Sequence, residues 1–135
     1  MFFQKDSSWC SSRVFAFFLM VVWMAVIFFF SMLSGKLIAG DPPVWYFIER
    51  KGAHVVEYAL LTLLAYRYFR LLFPREAIKK VLWLATGFSL MYATTDELHQ
   101  FFVPNRGAKI TDVLIDGGGI LLMTAFLWGW KKRQE

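Results

Sequence analysis

Four long apolar runs follow one another along this chain, each closed by a short polar or helix-breaking stretch. The first, Val14 to Leu33, carries no charge. Secretory signals have apolar cores of about 7–15 residues, and this run is longer, with no small-x-small cleavage site behind it. It therefore reads as a retained membrane helix rather than a cleaved signal. Ser34 and Gly35 close it, and Asp41-Pro42-Pro43 blocks a continuous helix. Trp45-Tyr46-Phe47 then suits a membrane interface, with a short interfacial helix left open.

The second run extends from about Gly52 to Phe73 and is polar at its start, with His54 and Glu57. Arg67 and Arg70 near its far end can reach the opposite surface along their apolar stems, and Pro74 breaks it. The third runs from about Lys80 to Gln100 and ends polar, in Thr94-Thr95-Asp96-Glu97-Leu98-His99-Gln100. Pro104 and Gly107 mark a loop. The fourth, Thr111 to Trp130, opens with Asp112 and Asp116 and stops at Lys131-Lys132-Arg133. The pattern predicts an all-α membrane protein, a bundle of four transmembrane helices forming a single domain over 1–135.

Composition agrees: 58% of the 135 residues are hydrophobic, with no strand-like alternation. The net charge of +5 does not imply a nucleic-acid partner, because the basic residues flank apolar runs instead of forming one polar stripe. With four spans, both termini and the loop after Phe73 share a side. That side holds ten of the fifteen Lys and Arg residues, which places both termini in the cytoplasm. The single cysteine, Cys10, has no intrachain partner. It reads as a free thiol in a reducing compartment, with juxtamembrane palmitoylation as the minor alternative.

This orientation brings seven of the ten acids to the outer side: Asp41, Glu49, Glu57, Asp96, Glu97, Asp112 and Asp116. Lys51, His54 and Glu57 recur at intervals of three along one helical face. Asp96, His99 and Gln100 share another, and Asp112 and Asp116 stand four apart on the last helix. A charge facing lipid at the bilayer centre costs about 2.5–3.5 kcal/mol on insertion scales. These faces are thus expected to turn inward and meet in a pocket, with Lys51 and Arg106 as its cations.

Three chemistries fit such a cluster. Ion pairs such as Lys51–Glu57, or Arg106 with Asp96 or Asp112, would simply lock the helices together. His54-x-x-Glu57 and Asp96-x-x-His99 each put two metal ligands on one face, a weak signal that leaves metal binding open. General acid–base work by Glu97, His99 or His54 is the third. Gly117-Gly118-Gly119 follows no strand, so it reads as a site of close helix approach and not as a phosphate loop. Phe28-Phe29-Phe30 and the tryptophans read as lipid-facing bulk and interface anchors.

The order of these elements, Lys51-x-x-His54-x-x-Glu57-Tyr58-x-x-Leu61, then Asp96-Glu97-x-His99-Gln100-x-Phe102-x-Pro104-x-Arg106, then Asp112-x-x-x-Asp116-x-x-Gly119, resembles the VanZ-like membrane protein family over roughly residues 14–130. The Asp-Glu-x-His-Gln…Pro-x-Arg element is the specific part. Asp116 departs from a pattern that often carries Asn there, and Asn105 stands where Gly is common. The resemblance implies a multi-pass bacterial inner-membrane protein acting on the cell envelope. The family's namesake is associated with low-level resistance to the glycopeptide teicoplanin.

Spacing and resemblance together select Lys51, His54, Glu57, Tyr58, Asp96, Glu97, His99, Gln100, Arg106, Asp112 and Asp116. In the first reading they form an outer-leaflet pocket for the head group of a membrane lipid or lipid-linked cell-wall precursor. Lys51 and Arg106 would then hold an anionic group, and Glu97 with His99 or His54 would assist proton transfer. In the second reading they form a fold-locking network in a protein that works through partners. A proton or ion pathway is the third, weakened because no polar chain leads to the other face.

Overall fold

The computed structural model describes residues 13–32, 44–103 and 110–134. Within them the chain is all-helical, with four helices and no strand: α1 (Arg13–Met32), α2 (Val44–Leu72), α3 (Ile78–Gln100) and α4 (Ile110–Lys132). Three of these lie within two residues of the predicted runs. The exception is the start of α2, expected near Gly52 and found at Val44. The added turns include Glu49-Arg50-Lys51. Long charged side chains are good helix formers, and no Pro or Gly interrupts 44–51, so nothing stops the helix there. Trp45 consequently sits on α2 itself. Cys10, the Asp41-Pro42-Pro43 segment and Arg106 lie outside the described residues.

Cross-helix contacts fix an up-down-up-down order. Trp23 meets Glu57 and Phe17 meets Tyr68, so α1 and α2 are antiparallel. Thr86 meets Thr124, and Gly117 lies against Leu90, which makes α3 and α4 antiparallel. Helix α2 is the hub that touches each of the other three, while α1 packs on α2 and α3. The end of α1, the start of α2, the end of α3 and the start of α4 therefore lie at one end of the bundle.

The interior is built from small and polar residues, including Ala65, Ala85, Ala93, Thr62 and Ser89, around Tyr58, Leu61 and Ile120. The outside carries large apolar side chains such as Phe18, Phe29, Trp83, Leu122 and Phe126. Lipid-embedded helices associate through close backbone approach and interhelical hydrogen bonds, and this distribution follows that logic. Gly119 is the tightest point: a Cβ there would overlap the backbone carbonyl of Val55 on α2. Thr62 returns its hydroxyl to the Tyr58 carbonyl at 2.8 Å, so it satisfies itself inside an apolar layer.

Helices α1 and α4 are each long and apolar enough to cross a membrane. At about 1.5 Å per residue, the 20 residues of α1 match a hydrocarbon core of about 30 Å. The 29 residues of α2 would reach about 43 Å, longer than that core. At the opposite end the turn after α2 is tied back, with Arg70 Nη1 donating to the Glu76 carbonyl at 2.7 Å and Lys80 pairing with Glu76 at 2.9 Å.

Candidate functional site

The polar residues of α2 and α4 meet because those two helices run parallel, with Lys51, His54 and Val55 facing Asp112, Asp116 and Gly119 in step. Lys51 Nζ lies 3.4 Å from Asp112 Oδ1 at the exposed rim. One turn further in, His54 Nδ1 lies 3.3 Å from Asp116 Oδ1 and 3.9 Å from Glu57 Oε2. A single imidazole thus stands between two carboxylates, one of them fully buried. Close approach at Gly119 is what brings Asp116 into reach of His54: a side chain there would hold α4 away from α2.

A second group joins α3 to α1. Ser31 Oγ donates to Asp96 Oδ2 at 2.7 Å, and Gln100 Nε2 donates to the same oxygen at 2.8 Å. Gln100 Nε2 also reaches Ser31 Oγ at 3.3 Å. Ser31, Asp96 and Gln100 are all buried, so this carboxylate is removed from solvent and held by two neutral donors.

Tyr58, fully buried on α2, stands between the groups. Its hydroxyl lies close enough to Asp96 to interact with it as a donor and within electrostatic range of Asp116, but the geometry falls short of a full hydrogen bond. Asp96 and Glu57 in turn lie within Coulombic range of His54. The two groups therefore form one electrostatic unit across all four helices. Asp96 Oδ1 and Asp116 Oδ2 also lack a hydrogen-bond partner among the described residues. Buried polar atoms are nearly always satisfied in folded proteins, so such atoms clustered at one level mark a place suited to polar guests.

The other selected residues are placed less centrally. His99 shares the Asp96 face of α3, but its ring stacks on Phe28 of α1, with centroids 4.5 Å apart and planes at 31°. Glu97 is buried on α3. Lys51 pairs with Asp112, not with the expected Glu57. Arg106 lies outside the described residues. Among the described residues, no group of three or more His, Cys, Asp or Glu side chains is arranged to hold a metal ion.

Three contributors come from residues the sequence pattern did not single out. Ser31 reads as one polar residue at the end of an apolar helix, yet it supports Asp96. Trp23, expected to face lipid, is half-buried and donates Nε1 to the Glu57 carbonyl at 2.9 Å. Tyr92 donates to the Met24 carbonyl at 2.7 Å. Phe28 is exposed, as a lipid-facing residue would be, and its ring also packs on His99. In an apolar helix an isolated polar side chain needs a partner, and that need was the available signal.

The arrangement can hold a proton between an imidazole and two carboxylates, and it offers a cation at the rim above them. A protein-family model described as VanZ/LLP1 matches residues 15–131 of the chain. No curated protein and no solved structure matches it.

Proposed function

Because the chain belongs to the VanZ/LLP1 family, we propose that it is a multi-pass protein of the bacterial inner membrane with both termini cytoplasmic. Its polar end binds or modifies the anionic head group of a membrane lipid or lipid-linked cell-wall precursor. The observation that carries this reading is the His54–Asp116 pair, 3.3 Å apart and adjoining the unsatisfied atoms of Tyr58 and Asp96. A purely structural network would be expected to satisfy its own buried atoms, whereas among the described residues this one leaves carboxylate oxygens of Asp96 and Asp116 with spare capacity.

The roles follow from position. Lys51 at the rim attracts an anionic oxygen, and Arg106 contributes a guanidinium, a group that can grip phosphate through two parallel hydrogen bonds. His54, flanked by Glu57 and Asp116, is placed to give or take a proton at the bound group. Asp96, fixed by Ser31 and Gln100, orients Tyr58. Glu97 and His99 complete the α3 contribution. In an envelope that exposes glycopeptide targets, altered precursor or lipid handling would change teicoplanin susceptibility.

A second reading has support of its own. Ser31–Asp96–Gln100 ties α1 to α3, and Lys51–Asp112 ties α2 to α4, so the cluster also serves as an interhelical lock. Native mass spectrometry of the full chain, extracted in mild detergent, separates the two readings. Wild type should carry a co-purifying lipid or lipid-linked species that His54→Gln and Lys51→Gln lose while remaining folded. Identical bound species in all three would leave the lock as the better account.

A further inference from the structure

The end of the bundle away from this cluster carries a groove between α3 and α4, about 440 Å³ in volume. Leu82, Trp83, Thr86, Leu121, Thr124 and Trp128 form its walls. The two threonines consume their own polarity. Thr86 and Thr124 hydroxyls lie 2.8 Å apart, and Thr124 donates to the Ile120 carbonyl at 2.8 Å, so Thr86 is the donor of the pair. The walls thus offer methyls, methylenes and indole faces.

This groove opens into a second depression of about 260 Å³, which shares Lys79 and Trp128 with it and adds Ile78, Lys131 and Lys132. Here the character reverses. Among the described residues, no acidic side chain pairs with Lys79, Lys131 or Lys132, whereas neighbouring Lys80 is matched by Glu76. Helix α3 also begins here, and Ala77 at its N-cap supplies no side-chain hydrogen bond. The positive end of the α3 dipole and the negative end of the α4 dipole meet here, so the three ammonium groups set the sign of the site.

From a dry apolar channel running into a cationic vestibule, we infer a binding site for an anionic phospholipid, with an acyl chain in the α3–α4 groove and the phosphate at Lys79, Lys131 and Lys132. A water-soluble anion would leave the groove unused, and a zwitterionic lipid would leave the lysine charge unmatched. This site is separate from the polar cluster and shares with the preceding reading only the placement of the helices across a bilayer. Trp83 and Trp128 in the groove walls supply the reporter.

The test is fluorescence quenching of the full chain, reconstituted in vesicles doped with brominated phosphatidylglycerol or brominated phosphatidylcholine. The groove signal is the component lost in Trp83→Phe/Trp128→Phe. A basic residue at a membrane surface favours an anionic lipid by about fivefold. The groove component should accordingly show at least that preference for phosphatidylglycerol. Lys79→Gln/Lys131→Gln/Lys132→Gln should abolish the preference. Arg13→Gln/Arg75→Gln/Arg133→Gln, which removes equal charge elsewhere on the same side, should keep it. All six positions lie near the ends of helices, and circular dichroism verifies that helicity is unchanged. Equal quenching by the two lipids in wild type, or equal loss in both triple variants, would overturn the assignment.

Discussion

Asp116 is where a single atom decides most. Its carboxylate is fully buried and faces the His54 imidazole at 3.3 Å. Asn is almost the same size, so Asp116→Asn removes the charge while keeping the packing. The protein is expected to reach the membrane at wild-type level by immunoblot, with head-group binding lost. A fall in membrane level that matches the loss of binding would instead mark Asp116 as structural. Ser31→Ala probes the other arm. Interhelical hydrogen bonds in membranes contribute on average about 0.6 kcal/mol and at most about 1.7. Unfolding in mixed micelles should therefore show a loss within that range, since Gln100 still donates to Asp96. The carboxylates, imidazoles and Lys51 were legible in the sequence because charge is conspicuous in an apolar helix. Ser31, Trp23 and Tyr92 were not, because their partners lie 65, 34 and 68 residues away and nothing local announces them.

At the scale of elements, the four apolar runs announced four helices, and their 3.6-residue spacing announced the shared faces. What the pattern could not supply was the start of α2, since charged residues continue a helix as readily as they end one. Nor could it say that α2 and α4 run in step, because register depends on Gly119 seating against Val55. Gly119→Leu should accordingly push α4 from α2 and separate Asp116 from His54. Reduced accumulation and increased protease sensitivity in membranes are the expected outcome, whereas Gly118→Leu, at a position with open space around it, should behave like wild type. Similar behaviour of the two variants would contradict the seating.

Across the whole molecule, polarity is separated along the bundle axis. One end gathers Lys51, His54, Asp96, Asp112 and Asp116, and the other bears the excess of lysine and arginine. A green fluorescent protein fused after Glu135 should fluoresce and an alkaline phosphatase fused there should stay inactive, because the C-terminus is read as cytoplasmic; the reverse would invert the molecule. With that orientation the polar end meets the envelope side, where lipid-linked precursors are used. The most direct measurement is mass spectrometry of envelope lipids and lipid-linked precursors from a deletion strain carrying either wild type or His54→Gln/Asp116→Asn at matched membrane levels. The expected result is a lipid or precursor whose amount or head group changes only with wild type. Identical profiles from the two strains would contradict it and leave the polar cluster as a lock between helices.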